Sequence, residues 1–398
     1  MTPWLHIIGI GADGLESLAP AARAALESAE VIIGGERHHT LTDVFSAERI
    51  AWPSPFDALI DRLQGLRGRR VAVLATGDPL WYSVGAKIAR DFPPGEFTVH
   101  PQLSAFQLAA ARMGWSLADC ETLTAHGRPP EQVIPYITPG ARLLILTTGS
   151  ETPGQIAGFL TARGYGPSRL TVLANMGAAE EARIEGTAQG WARNVPKFNT
   201  MAVEVLPGDA PVIHARTPGL PDSAFASDGT MTKQEVRAVS LARLMPMRGA
   251  LLWDVGCGAG SVAIEWMRAA RDASAIGIEP RADRRALAAA NAASLGTPGL
   301  KLVEGRAPEV LAGLPAPDAV FLGGGITSET FDTVWHALKP HGRLVANSVT
   351  LESEAILLAL HARHGGDLTR LAVSRAEPIG PRKGWRPMMT VTQWSLMK

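Results

Sequence analysis

Cysteine is nearly missing from this sequence of 398 residues, which holds only Cys120 and Cys257. So small a supply excludes a disulfide framework and points to a reducing compartment. Net charge is missing too. Lys+Arg and Asp+Glu are both 38, so bulk charge does not draw the chain to nucleic acid. No run reaches about 18 apolar residues, so no membrane span is expected. The first apolar run, residues 4–10, is interrupted by His6, broken by glycines and preceded by no basic segment, which excludes a signal peptide. The histidines lack metal-ligand spacing with Cys or carboxylates, so no metal site is expected. Repeats and low-complexity tracts are absent. These absences together predict a soluble, cytoplasmic protein.

What is present is ample apolar material, 46% of residues against 19% charged, in a length that suits two or three domains. Short apolar runs alternate with longer amphipathic ones, the signature of βα units and mostly parallel sheets. Strands are expected over 4–10, 70–75 and 97–100, with helices over 20–28, from about 83, and over 104–113. A second wave begins near Thr122, with strands over 142–146, 169–174 and 200–206. This predicts a unit over 1–210 with two α/β lobes, about 1–120 and 121–210. Prolines and glycines then cluster between Pro207 and Gly229, and 211–228 reads as a linker with few core residues. Regular patterning restarts at Met231. Strands over 250–254, 275–278, 300–303, 319–322 and 342–347 alternate with helices and end in a strand over 388–394. This is the pattern of a doubly wound sheet over 229–398.

The strand before Asp254 runs into Val255-Gly256-Cys257-Gly258-Ala259-Gly260-Ser261, where a helix starts. Such a turn lets a ligand approach the backbone, and the helix offers free N–H groups. A dinucleotide site needs G-x-G-x-x-G. Here the third glycine comes one residue early, and Asp254 would repel a pyrophosphate. The acid suits a ligand with a sulfonium and an ammonium. Glu279 ends the next strand, where a carboxylate can accept hydrogen bonds from a ribose. Cys257 reads as a small filler within the loop rather than a nucleophile.

Asp254 to Gly260 resembles motif I of the class I S-adenosylmethionine methyltransferases. The wider string adds Gly229-Thr230-Met231-Thr232-Lys233, Gly305-Arg306-Ala307-Pro308-Glu309, Phe321-Leu322-Gly323-Gly324-Gly325 and Leu338-Lys339-Pro340-His341-Gly342. Residues 229–398 thereby resemble the decarboxylating precorrin methyltransferase domain of cobalamin synthesis. The resemblance implies that Thr232, Asp254, Gly256, Cys257, Gly258, Ala259, Gly260, Glu279 and Ala307 bind the cofactor. Arg306 stands where that family commonly has Asp.

Upstream, Gly9-Ile10-Gly11-Ala12-Asp13-Gly14 follows the first strand. Thr76-Gly77-Asp78-Pro79-Leu80-Trp81-Tyr82-Ser83 exits another, and Pro101-Gln102-Leu103-Ser104-Ala105 and Ala174-Asn175-Met176-Gly177 form further loops. Together they resemble the tetrapyrrole methylases, the class III methyltransferases, over about 3–206. That family folds S-adenosylmethionine into a cleft between two lobes. The matching positions are Thr76, Gly77, Asp78, Trp81, Ser104, Ala105, Thr148 and Met176. Ala12 replaces the usual Pro and Gln102 the usual Gly, and His126-Gly127-Arg128 is closest to the subgroup that methylates carbon 5 of precorrins.

The two resemblances imply two S-adenosylmethionine sites on one chain. They would methylate a precorrin at carbons 5 and 15, with decarboxylation at the second, in a homo-oligomer that binds no nucleic acid and no membrane. No residue is singled out as a general acid or base. An RNA or protein methyltransferase pair would call for a basic stripe, and a dinucleotide-dependent oxidoreductase for the other glycine spacing. A precorrin carries several carboxylates, and Arg382, Lys383, Trp385 and Arg386 concentrate three cations around one Trp in what reads as a loop before the last strand. They are candidates for the substrate site.

Overall fold

A computed structural model describes residues 3–398. The described residues divide into two compact units, one of residues 3–130 with Pro139–Val212 and one of Glu131–Thr138 with Ile213–Lys398.

The first unit opens with alternating strands and helices. They run β1 (Leu5–Ile10), α1 (Pro20–Glu27), β2 (Val31–Gly34), α2 (Glu36–Leu41), β3 (Glu48–Ala51), α3 (Leu59–Gln64), β4 (Val71–Thr76), α4 (Val84–Asp91) and β5 (Phe97–His100). The five strands form one sheet in the order β3-β2-β4-β1-β5, every pair parallel. Neighbouring residues on a strand face opposite ways, so the sheet has two buried faces. Leu5, Ile7, Val31, Val71 and Val73 pack against Leu59, Leu63 and Ile88 of α3 and α4. Ile8, Ile10, Ile32 and Leu74 pack against Ala22, Ala25 and Leu26 of α1.

The second lobe contains α5 (Ala105–Met113), β6 (Glu121–Thr124), β7 (Arg142–Leu146), α6 (Thr152–Ala162), β8 (Arg169–Ala174), β9 (Ala182–Thr187) and β10 (Asn199–Glu204). Its order is β6-β7-β10-β8-β9, and only β6 and β7 run parallel. The expectation of mostly parallel pairing fails here. β8, β9 and β10 follow one another without an intervening helix, and β8 pairs antiparallel with both of the others. Phe106, Ala109 and Ala110 of α5 close this sheet over Leu144, Leu173 and Ala202.

The C-terminal unit contains α7 (Gln234–Leu244), β11 (Leu251–Val255), α8 (Ser261–Ala269), β12 (Ser274–Ile278), α9 (Ala282–Ser294), β13 (Lys301–Val303), β14 (Ala319–Leu322), α10 (Ser328–Ala337), β15 (Arg343–Ser348), α11 (Leu351–His364), β16 (Asp367–Leu371), β17 (Ser374–Ile379), β18 (Arg382–Pro387) and β19 (Val391–Met397). Seven strands form a sheet in the order β13-β12-β11-β14-β15-β19-β16, and β17 and β18 pair apart from it as a hairpin. The first five are parallel, while β19 runs antiparallel to β15 and β16. Leu252, Phe321 and Val345 pack under Leu241, Leu244, Val262 and Trp266 of α7 and α8. Trp253, Val320 and Leu344 face the other way, toward Phe331, Val334, Leu357 and Leu360 of α10 and α11. Strand order reverses between β12-β11 and β14, so the crevice beyond their carboxyl ends is the place for a ligand.

The segment 211–228, expected to be a linker with few core residues, contributes two side chains to the core of the C-terminal unit. Leu220 and Phe225 are buried in a cluster with Ile264, Ala292 and Leu295. Gly219 and Leu220 donate their N–H groups to Glu265 at 2.6 and 3.1 Å, and the Arg216 Nε donates to the Arg268 carbonyl. Val212, by contrast, donates to the carbonyl of Arg163 in the first unit. Prolines and glycines here shape an extended strap rather than a free spacer.

Candidate active sites

In the C-terminal unit Val255 pairs with both Ile278 and Leu322, which aligns the ends of β11, β12 and β14. The loops that leave them share one edge. There they line a cavity of about 910 Å³, whose wall includes Thr230, Thr232, Asp254, Gly256, Cys257, Gly258, Glu279, Arg306, Ala307 and Gly324. Gly256 and Gly258 have φ of +75° and +53°, which a side chain would strain. No atom lies within 4 Å of where a Cβ on Gly324 would be. The wall is therefore bare backbone at those points and admits a ligand at close range.

Two carboxylates sit at this edge. Glu279 is buried and accepts the Gly258 N–H at 3.1 Å through one oxygen and the Arg281 N–H at 3.0 Å through the other. It fixes the glycine loop and keeps lone pairs to spare. Asp254 is buried as well. Its Oδ2 accepts the Ala263 N–H from the first turn of α8 at 3.0 Å, whereas Oδ1 has no partner among the described residues. Burial raises this carboxyl to about 7, the Ala263 N–H opposes the rise, and the negative charge of Glu279 adds to it. A buried acid with an unfilled oxygen in the cavity wall fits a cationic ligand group. Burial likewise pushes the Cys257 thiol far up, which disfavours the thiolate form.

Thr232, Asp254, Gly256, Cys257, Gly258, Glu279 and Ala307 thus meet at one cavity, and Arg306 joins them. Ala259 and Gly260 do not. Ala259 is buried and its carbonyl accepts from Asn291, while Gly260 caps α8 with φ of +79°. The loop has turned inward by then to start the helix. Asn347, Ser348, Met388 and Met389 also line the cavity, and the motif string gave no signal for them. The expected basic loop is a strand: Arg382, Lys383, Trp385 and Arg386 lie on β18, outside the cavity wall. Trp385 is 76% exposed, and Arg386 pairs with Glu377 at 2.9 Å across the hairpin.

In the first unit β1 and β4 are adjacent, and Gly77 donates to the Ile10 carbonyl at 3.0 Å. A Cβ on Gly77 would meet the Leu103 carbonyl at 3.2 Å and Ser104 at 3.3 Å, so the structure brings Thr76, Gly77, Ser104 and Ala105 together. The Ser104 hydroxyl accepts the Gln107 N–H and the Gln107 side chain accepts the Ser104 N–H, a capping box that starts α5. Asp78 accepts the Leu80 N–H at 2.7 Å and shapes its own turn. Trp81 packs on Phe106 with ring centroids 5.5 Å apart, and Met176 is buried in the same cluster. The Thr148 hydroxyl donates to the Ala125 carbonyl at the strand ends of the second lobe. Gln102 is accommodated because residue 9 is glycine, whose Cβ would lie 2.7 Å from that of Gln102.

One partner of this site was not legible in the sequence. His38 is buried, its Nδ1 accepts the Gly35 N–H at 3.2 Å, and its Nε2 lies 2.9 Å from the Thr76 hydroxyl. The Gly35 contact places the proton on Nε2, so His38 donates to Thr76 and leaves the Thr76 proton free. Burial and the nearby Arg37 and His39 lower the His38 pKa to about 4, which keeps the ring neutral. Among the described residues no cluster suited to a metal ion occurs, and no helix is long and apolar enough to cross a membrane.

Fold and sites together define a two-part tetrapyrrole methyltransferase. Residues 4–191 match the family model of Tetrapyrrole (Corrin/Porphyrin) Methylases, and residues 223–398 match that of the Precorrin methyltransferase domain. The chain belongs to the precorrin-6Y C(5,15)-methyltransferase (decarboxylating) family. It is 43% identical to the protein of that name from a Sinorhizobium species, over 100% of this chain and 97% of the relative. It is also 31% identical to the cobalt-precorrin-7 C(5)-methyltransferase of Salmonella typhimurium, over 45% of this chain and 88% of that one. A probable cobalt-precorrin-6B C(15)-methyltransferase (decarboxylating) from Pyrobaculum calidifontis is 38% identical, over 44% of this chain and 91% of that one. The protein is an S-adenosylmethionine-dependent methyltransferase of mixed α/β fold.

Proposed function

We propose that this chain methylates precorrin-6Y at carbons 5 and 15 and releases carbon dioxide from the ring C acetate, as a cytoplasmic enzyme of cobalamin synthesis. The observation that carries this reading is the presence of both family units, each with its own glycine-lined strand ends, in a chain matched from end to end by a relative of that activity. The first unit would act at carbon 5 and the second at carbon 15. Their division falls near residue 212, since the strap from Ile213 onward packs with the C-terminal unit. Each unit would hold one S-adenosylmethionine. Calorimetry on the full chain, freed of carried-over cofactor, is expected to give a stoichiometry of about two. A stoichiometry of one removes a site.

When bound, the cofactor supplies an electrophilic methyl group. The chain's own part is to bind, align and keep out water. In the C-terminal unit Asp254 would hold the cofactor's ammonium and Glu279 its ribose, with Thr232, Gly256, Cys257, Gly258 and Ala307 completing the wall. In the first unit Thr76 and Gly77 would contact the cofactor, Trp81 and Ala105 would border it, and Asp78, Ser104, Thr148 and Met176 would hold the loops in shape. The macrocycle provides the nucleophilic carbon, so no strong protein base is needed. The hairpin residues Arg382, Lys383, Trp385 and Arg386 would meet substrate carboxylates and the flat ring. The strand that carries them leads directly into Met388 and Met389 of the cavity wall.

Asp254 gives this reading a pH dependence. The folded carboxyl keeps its proton up to about 7, whereas an unfolded Asp releases it near about 4. Protons therefore favour the folded, ligand-free unit. The Asp254 contribution is fully present below about pH 4 and is lost as pH rises through about 7. Cofactor affinity runs the opposite way, because only the ionised carboxylate attracts an ammonium. Between about pH 6 and 8 the ligand-free C-terminal unit should melt lower, and its affinity for S-adenosylmethionine should rise. Asp254→Asn should flatten both trends. Melting curves and calorimetry at the two pH values check this, and unchanged slopes in the variant would remove Asp254 from the role.

A further inference from the structure

Arg37 is a cation without an anion. It follows β2 in the first turn of α2, at the same sheet edge as Thr76, and is half-buried. Among the described residues it makes no hydrogen bond and no ion pair through its side chain. Its guanidinium carbon lies over the Phe198 ring, 4.2 Å from the centroid. Phe198 is itself 45% exposed. Two other half-buried arginines of this unit have found a carboxylate or a row of carbonyls, Arg69 with Glu48 and Arg49 with the Thr42 and Phe45 carbonyls. Taking a guanidinium out of water unpaired is unfavourable, so a structure that does so leaves a binding opportunity. A guanidinium held over a ring keeps its fork of N–H groups available to a planar acceptor.

The surroundings are those of the first site. His38, the next residue, holds Thr76 at 2.9 Å. The Phe198 carbonyl accepts from Asn175, and Gly177 in the same loop stands 3.9 Å from Ala12 if given a Cβ. Arg37 therefore sits where the strand ends of the first lobe meet the Asn175–Gly177 loop of the second. At the far end of the segment from Thr76 to Tyr82 a second guanidinium, that of Arg128, lies 5.7 Å from the Tyr82 ring and makes no ion pair among the described residues. The segment that carries the proposed cofactor contacts is thus flanked by two aromatic-backed arginines.

We propose that Arg37, backed by Phe198, binds a carboxylate side chain of the macrocycle at the first site, and so helps to set which face and edge of the substrate reaches the methyl group. This rests on the reading of the first unit as the carbon 5 methyltransferase. Burial pulls the Arg37 pKa down from its ordinary value, as expected for a cation that has lost water and gained no partner.

The test is steady-state methylation of precorrin-6Y by the full chain. Arg37→Ala should raise the Michaelis constant for carbon 5 methylation ~10- to 100-fold, the range for a charge-assisted bond. Arg37→Lys, which keeps charge but not the fork, should lie between. Phe198→Leu should raise it a few-fold. S-adenosylmethionine affinity and carbon 15 methylation should not change, and these two controls establish that the variants are folded. Binding of the substrate with its carboxylates converted to methyl esters should be equal for wild type and Arg37→Ala. An unchanged Michaelis constant for the free acid overturns the proposal, and so does an equal loss with acid and ester. If the wild-type chain does not methylate carbon 5, the functional reading fails and takes the proposal with it.

Discussion

Arg237→Ala is expected to destabilise the C-terminal unit by about 3–5 kcal/mol, the usual cost of breaking a buried ion pair from one side. The Arg237 side chain has no exposure and that of Glu265 2%, and their closest atoms are 2.6 Å apart. Arg237 also donates to Asp222, to the Thr232 carbonyl and to the Leu220 carbonyl, with its guanidinium over the Phe225 ring. Glu265 in turn accepts from Gly219 and Leu220. Removing the arginine strands a carboxylate in the core and frees the strap from Gly219 to Thr232. Thr232 lines the cavity, so cofactor affinity should fall with stability. The pair Arg237→Met with Glu265→Leu should cost less than either polar-to-apolar change alone, because no charge is left unpaired. Urea unfolding of the C-terminal unit checks this, and a loss below about 1 kcal/mol for Arg237→Ala would contradict it.

Glu279→Ala should weaken S-adenosylmethionine binding in the C-terminal unit by about ten- to hundred-fold, the worth of roughly 1.5–3 kcal/mol in hydrogen bonds to a charged group. Two losses combine. The ribose contact goes, and the Gly258 and Arg281 N–H groups that this carboxylate holds are released. Glu279→Gln should recover part of the affinity, since one oxygen remains to accept. The first site should be untouched. Calorimetry resolves the two sites, and an unchanged C-terminal affinity in Glu279→Ala would rule out the role.

The parts of the molecule that could be read from sequence are those governed by local chemistry. The glycines from Gly256 to Gly258 and the acids Asp254 and Glu279 stand at successive strand ends, and periodic apolar runs mark those strands. What could not be read depends on partners distant in the chain. Glu265 lies 28 residues from Arg237, and nothing local distinguishes it from a surface helix residue. The strap looked like a linker because Pro218, Gly219 and Pro221 break regular structure, but Leu220 and Phe225 between and after them are core residues. The hairpin of β17 and β18 is rich in charged residues and buries almost nothing, so no apolar period announces it. His38 had no recognisable partner because it lies on α2 and Thr76 is 38 residues away at the end of β4. Ala259 and Gly260 belong to the motif string, yet there the backbone has turned into α8 and they face the core.

The central claim is that one chain carries two methyl transfers and a decarboxylation. Mass spectrometry of the product formed from precorrin-6Y and S-adenosylmethionine by the full chain tests it most directly, with the methyl positions assigned by NMR. The account predicts a product that has gained two methyl groups, at carbons 5 and 15, and lost one carbon dioxide. A product with a single added methyl group, or with two and the acetate intact, would contradict it.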